Sequence, residues 1–391
     1  MFSTRIPTNL EPNQLTQALA ELRARRQPIL DLTETNPTRA GLEYPPDLLA
    51  PLADPRSLAY EPDPFGLRSA REAVAGSGLP PGVQVHPAHI VLTASTSEAY
   101  SFLFKLLCEP GDEVLVPAPS YPLFDQLTRL DGVGVRSYPL EYHGVWSADT
   151  AELERSITAR TRAVLVVSPN NPTGSVLGRA ELEALCKICG RHGLALVGDE
   201  VFADYPLEPR PDRTTVLAQA EVLAFALGGL SKSVGLPQLK LAWIAAAGPR
   251  ALLEAALARL ELIGDAYLSV GTPVQQAAGP LLAAGARVRR LIQDRLVANL
   301  ETLRAAAAHT PCSVLRVEGG WSAVVRVPAT RSEEQLVLEL LEHDGVLAHP
   351  GYFFDFPREA YVIVSLLPRP SVFADGIGRL LARAGASPAP V

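Results

Sequence analysis

The sequence predicts an α/β fold: a large domain on a mostly parallel sheet, followed by a smaller α+β domain. Three observations point there. Seven short β-rich runs alternate with helix-like stretches between residues 89 and 247, a long helical stretch covers about 283 to 308, and a second, shorter alternation ends the chain. At 391 residues there is enough chain for two domains that each bury a core.

The elements follow in order. Residues 11–26 read as an amphipathic helix, with Pro12 near its start and Leu15, Leu19 and Leu22 on one face. With the arm before it, this makes an N-terminal segment (1–44) expected to join the small domain. The β-rich runs are HIVLT (89–93), DEVLVP (112–117), GVRSYPL (134–140), RAVLVVSP (162–169), LALVGDE (194–200), EVLAFALG (221–228) and LKLAWIAAA (239–247). Helix-like stretches such as 97–107 and 178–190 lie between them, so residues 45–275 are assigned to the large domain. In such sheets the active site forms beyond the carboxyl ends of the strands. From Pro249 onward the pattern is helical, and 283–308 sets Ile292, Leu296, Leu300 and Leu303 on one stripe. The runs SVLRVEGG, WSAVVRVP and YVIVSLL, with a helix near 332–343, build the small domain (276–391), which ends in an Ala/Pro-rich tail from Gly385.

Composition narrows the function classes. A net charge of -7 without a concentrated basic face argues against nucleic acid as a partner. No apolar run reaches the length of a membrane span or a signal-peptide core, which places the protein in the cytoplasm. Cys108, Cys186, Cys189 and Cys312 are too few and scattered for a disulfide framework. The spacing Cys186-x-x-Cys189 with His192 imitates a metal site. It falls on one helix face with no second ligand pair, so no metal is expected. Of 35 basic residues only Lys105, Lys187, Lys232 and Lys240 are lysines. A lysine kept against that bias suits chemistry that arginine cannot do, above all losing a proton to act as an amine nucleophile.

Four places along the chain suggest chemistry. Lys232 directly follows the buried run EVLAFALG, where exclusion of water lowers an amine's pKa and frees it for Schiff-base formation; its plainer reading is a solvated loop lysine. Asp199 sits at the carboxyl end of LALVGDE, placed to hold a proton on a pyridine nitrogen or simply to cap a turn. TASTSEAY puts Ser95, Thr96 and Ser97 at the start of a helix, where N–H groups and hydroxyls suit a phosphate; Ser95 and Glu98 equally fit a capping box. SPNNPTG is a tight turn after a strand.

Taken in order, the hydroxyl-rich helix start, Tyr121 in PAPSYP, SPNNPTG, GDEVF, and Lys232 with Lys240 downstream resemble fold type I pyridoxal-phosphate enzymes of the class I/II aminotransferase family. The resemblance spans about Asp31 to Leu367. It implies pyridoxal 5′-phosphate as cofactor, bound as a Schiff base to Lys232, which also moves the proton in transamination. It further implies that Asp199 pairs with the ring nitrogen, Asn171 donates to the ring hydroxyl and Tyr121 stacks on the ring. Ser95, Thr96, Ser97, Ser231 and Lys240 would surround the phosphate, and Phe202 would lie against the ring. Tyr60 would reach the phosphate of a neighbouring subunit, so a homodimer with shared sites is implied. The implied reaction is a ping-pong exchange of an amino group between an amino acid and a 2-oxo acid.

Three positions depart from the family pattern. Phe202 stands where a tyrosine would donate to the ring hydroxyl, and Lys240 where an arginine fork would hold the phosphate. Ile363 stands where an arginine would clamp the substrate carboxylate. The candidate substrate contacts are therefore Asn36, Arg39, Asn171, Trp321 and Arg369. A C–S or other β-lyase, a racemase or a decarboxylase on the same fold, and a non-catalytic cofactor-binding domain, are the alternative readings.

Overall fold

The computed structural model describes residues 2–80, 83–219 and 221–386. Part of the Ala/Pro-rich tail, 387–391, lies outside them. The centre is an eight-stranded sheet in the order Ile90–Thr93, Ala242–Ala247, Ala224–Gly229, Ala195–Asp199, Thr161–Val167, Glu113–Ala118, Gly134–Tyr142 and Trp146–Ala148. The five strands from Ala224–Gly229 to Gly134–Tyr142 run parallel; both edges are closed by antiparallel pairs. All seven β-rich runs expected between 89 and 247 are strands here, with ends shifted by a few residues.

The inner strands are apolar almost throughout because helices cover both faces of the sheet. One face packs Val114, Leu165, Val197, Phe225 and Ile244 against the helices Thr96–Leu107 and Arg250–Asp265. The other sets Leu115, Val164, Leu196 and Ala226 in one core with the helices Arg179–His192 and Ala278–Ala307. Cys186 and Cys189 lie on the buried face of Arg179–His192, and burial pushes their thiols up to about 11 and about 12. His192 bonds Glu154 at 3.0 Å.

A second, antiparallel sheet orders the strands Ser313–Val314, Ser322–Arg326, Tyr361–Ser365 and His349–Pro350. The run SVLRVEGG is strand only at its first two residues. Its last residues turn to the large sheet's side: Glu318 and Gly319 N–H donate to the Gly174 carbonyl, and Gly320 N–H to that of Tyr205. Side chains are excluded there, since a Cβ on Gly319 would lie 2.8 Å from Pro169.

The N-terminal helix, Gln14–Ala24, packs Leu15 and Leu22 on Val337 and Leu341 of the helix Glu333–Asp344. Beyond it, Leu30–Asp31 pairs in parallel with Val346–Leu347, and Ser365 Oγ donates to the Glu34 carbonyl at 2.7 Å. The turn after Ser365 is held by buried Asn299, whose Nδ2 donates to the carbonyls of Leu366 and Pro368, both at 2.8 Å. Asn299→Ala leaves the buried Leu366 carbonyl without a donor, while Arg295 still bonds that of Pro368, and is expected to cost about 1–3 kcal/mol of stability, measured by urea unfolding. No helix among the described residues is long and apolar enough to cross a membrane.

Candidate functional site

Strand register gathers the site. Asp199 is the last residue of its strand and pairs with Val167 and Leu227, so it stands at the carboxyl edge of the parallel strands. Ala242 pairs with both Thr93 and Gly229, which brings the loop 94–97, the short helix Leu230–Ser233 and Lys240 to one end of the sheet. The Leu230 N–H closes this junction on the Leu241 carbonyl at 3.0 Å.

Asp199 is buried. Its carboxylate accepts from the Tyr100 hydroxyl at 3.0 Å and the Val201 N–H at 3.2 Å. Burial raises its pKa; the Val201 and Tyr100 hydrogen bonds and the Lys232 charge oppose that without cancelling it. Lys232 faces the opposite stress. Burial lowers its amine to about 8, against the pull of Asp199, which favours the charged form. Its Nζ lies 4.8 Å from the Trp321 ring centre and 5.6 Å from that of Phe202. The Tyr205 hydroxyl is committed to the Lys232 carbonyl at 2.5 Å, which fixes the backbone that carries the amine.

Tyr121 is tied to the turn at 168–174 through its neighbour. Ser120 Oγ donates to Asn170 Oδ1 at 2.9 Å, while Asn170 Nδ2 donates to the Pro119 carbonyl at 3.0 Å. Asn170 is thus the structural member of its pair, and Asn171 is presented beside it. Asn171 Oδ1 accepts from Ser322 Oγ at 3.2 Å, which orients the amide and leaves its NH2 as the outward donor. Burial raises the Tyr121 pKa and the charge of Asp199 adds to it. A cavity of about 450 Å³ beside Tyr121, lined also by Asp125 and Asp355, includes neither Lys232 nor Asp199.

At the helix start both readings of Ser95 meet. Its Oγ accepts from the Glu98 N–H at 3.2 Å as an N-cap, while Glu98 reaches back to the Ala94 N–H at 2.6 Å. The N–H groups of Thr96 and Ser97, the first two helical residues, have no intrahelical acceptor and make an anion-binding end. Lys240 is exposed and its backbone is left-handed (φ 53°), a conformation that costs a lysine about 1 kcal/mol and holds it at the junction.

The candidate substrate residues divide. Asn171 and Trp321 lie against the site, and Trp321 is both core and wall: 1% exposed, with Lys232 Nζ over its ring. Asn36 spends its Oδ1 on the Thr38 N–H and hydroxyl, in a turn of the N-terminal segment. Arg39 and Arg369 are exposed, and neither guanidinium has a polar partner among the described residues. Arg369 precedes the helix Pro370–Gly385 and lies against Gly41, where an added Cβ would clash with its Nε. Ile363 is buried with Trp146, Val324, Phe354 and Phe356, so an apolar cluster occupies that position. Tyr60 is 74% exposed and borders a small pocket that Leu268 and Ser269 also line.

Sequence reasoning missed Tyr100, whose partner lies 99 residues away in the chain, and offered Tyr205 as a donor to the ring hydroxyl, whereas its hydroxyl is spent on the Lys232 carbonyl 27 residues away. It also missed Glu200, which is buried and raised to about 7, and whose carboxylate accepts from Thr215 Oγ1 and the Val216 N–H. That carboxylate pins the chain just past Asp199. GDE read as a strand end and held no further signal.

The aminotransferase class I and II family matches residues 28–366. The chain belongs to this family. Among curated relatives, alanine aminotransferase of Mycobacterium bovis is 28% identical over 375 residues, covering 93% of this chain and 87% of that one. Glutamate-pyruvate aminotransferase of Escherichia coli is 25% identical over 351 residues, with 87% and 86% covered. Among solved structures, alanine aminotransferase from Pyrococcus furiosus superposes with a TM-score of 0.88 at 22% identity, covering 98% of this chain and 99% of that one. An Escherichia coli aminotransferase gives 0.88 at 23% identity, with 99% and 98% covered. This aminotransferase therefore has the fold type I architecture, in keeping with the two sheets above.

Proposed function

We propose that this aminotransferase moves an amino group between an amino acid and a 2-oxo acid using pyridoxal 5′-phosphate held covalently by Lys232. The observation that carries this is the Lys232 amine, lowered to about 8 by burial, at the same sheet end as buried Asp199. The donor set fits the group. A nucleophilic amine meets the aldehyde, a carboxylate whose burial demands a cationic partner meets the ring nitrogen, and a bare helix start with Lys240 meets the phosphate. When bound, the pyridine ring supplies an electron sink and carries the amino group between the two half-reactions.

The chain's own residues do the rest. Lys232 Nζ, whenever it is released from the group, would take a proton from the substrate carbon and return it at the acceptor position. Asp199 would hold a proton on the ring nitrogen, and Tyr100 and Val201 hold Asp199. Asn171 would donate to the ring hydroxyl and Tyr121 would lie against the ring. Thr96, Ser97, Ser231 and Lys240 would bind the phosphate, with Ser95 contributing as the cap of that helix. The relatives named for alanine favour a small amino acid as substrate.

We place the enzyme in the cytoplasm, which its four free thiols favour, and working as a homodimer. Exposed Leu58, Tyr60, Leu262, Tyr267 and Leu268 favour a partner subunit over this edge of the large domain. A half-reaction screen tests the proposal: purified holoenzyme, mixed with single amino acids, is expected to lose the visible absorbance of its bound cofactor and release the matching 2-oxo acid. Ammonia release without any acceptor dependence would point to a lyase instead.

The amine's pKa sets a pH dependence. Only neutral Nζ attacks an aldehyde, so the rate at which apoenzyme captures pyridoxal phosphate is expected to rise with pH and level off above a midpoint of about 8. Stopped-flow absorbance checks it; a midpoint near that of a solvated lysine would contradict the burial of Lys232.

A further inference from the structure

Trp321 is buried to 1% exposure, yet its Nε1–H has no hydrogen-bond partner among the described residues. Leaving a buried donor unpaired costs about 1–3 kcal/mol, so such groups are rare unless a ligand completes them. Trp146 Nε1 shares this state but lies in the apolar cluster around Ile363, whereas the Trp321 ring borders the reactive amine. Its ring centre lies 5.5 Å from that of Phe202 and 5.2 Å from that of Tyr205. The next residue, Ser322, orients the Asn171 amide.

We propose that Trp321 Nε1–H donates a hydrogen bond to the ring-hydroxyl oxygen of the cofactor bound at Lys232, the part that Phe202 cannot play. This rests on the cofactor assignment above. In pyridoxal the hydroxyl sits on the carbon next to the one bearing the aldehyde. Its oxygen therefore stays beside the nitrogen that captures the aldehyde, here Lys232 Nζ, and a ring 4.8 Å from Nζ borders it. Two aromatic hydroxyls nearby are spent, Tyr100 on Asp199 and Tyr205 on the Lys232 carbonyl, and Tyr121 is assigned above to the face of the ring. Trp321 Nε1 and the Asn171 amide are the donors left to stabilise a negative oxygen on that side. Trp321 is thus a cofactor-positioning residue that also tunes where the cofactor's proton resides.

The test is a pH titration of cofactor absorbance in holoenzyme, comparing wild type, Trp321→Phe and Trp321→Phe/Phe202→Tyr. A donor to the ring oxygen stabilises its anion, so removing it holds the shared proton to higher pH. Trp321→Phe is expected to raise the midpoint by about one pH unit and weaken cofactor binding to apoenzyme roughly tenfold, and the added tyrosine to reverse both. An unchanged or lower midpoint with cofactor bound overturns the proposal. A second measurement does not depend on the variants folding. The chain has three tryptophans, so ¹⁵N-labelled wild type shows three indole N–H signals. Cofactor loading is expected to move one of them downfield; no downfield movement overturns the proposal. Mass spectrometry of borohydride-reduced wild type separates the two failures: a pyridoxyl group absent from Lys232 sinks the cofactor assignment, whereas its presence with an unshifted midpoint sinks only the role of Trp321.

Discussion

Lys232→Ala is expected to lower transamination by roughly 10,000-fold or more, because it removes the amine that captures the cofactor and the base that moves the substrate proton. The loss is not repaired by another lysine. Lys240 is exposed at the junction beside the loop 94–97, and Lys105 is exposed on its helix with its amine on Ser101 and Asp131. Borohydride reduction followed by peptide mass spectrometry is expected to place the pyridoxyl group on Lys232 in wild type and nowhere in the variant. Folding should survive, since burying a methyl group in place of an amine removes a desolvation cost beside Trp321 and Phe202. Retained turnover, or a modified Lys105, Lys187 or Lys240, would refute the assignment.

Asp199→Ala is expected to cost about 100- to 1,000-fold in turnover while leaving the phosphate anchors intact, since it removes the buried charge that holds a proton on the ring nitrogen. The variant carries a second, independent signature. Asp199 is the charge that keeps the Lys232 amine from falling further, so its removal shifts the midpoint of cofactor capture below about 8. The sign follows from the geometry: losing a nearby carboxylate destabilises the ammonium form. Stopped-flow capture rates of the two apoproteins across pH check it, and an upward or absent shift would mean that Asp199 does not act on Lys232. Tyr100→Phe isolates the hydroxyl that accompanies the carboxylate and is expected to have a smaller effect, because Val201 N–H still holds Asp199.

How legible the site was depended on the residue. Lys232 and Asp199 could be found because each ends an apolar run, and a run of that kind in an α/β chain is a buried strand whose carboxyl end faces the site. Asn171 was named only through the family resemblance, since SPNNPTG by itself reads as no more than a tight turn. The hydroxyls at 95–97 could be located but not assigned: the same serine serves as cap and as the rim of an anion site, and the structure shows the cap made while two N–H groups stay open. Arg39, Arg369 and Asn36 were drawn from position alone. Two of them are exposed at the N-terminal strap and the start of the last helix, and the third is engaged in its own turn.

What the sequence by itself determined is the order of the elements, which follows from interactions between residues close together in the chain: hydrophobic period and turn chemistry. The candidate reactive side chains came from charges at the ends of buried runs together with the family resemblance. What only the tertiary structure decided is the environment that makes those side chains reactive. The Tyr100–Asp199 bond, the Tyr205 hydroxyl under Lys232, the Glu200 anchor and the indole over the amine all join residues far apart in sequence. No local pattern encodes such contacts, because a pKa shift depends on how completely water is excluded and on which charge remains near. Both are set by strand register and by how the small sheet packs over the large one.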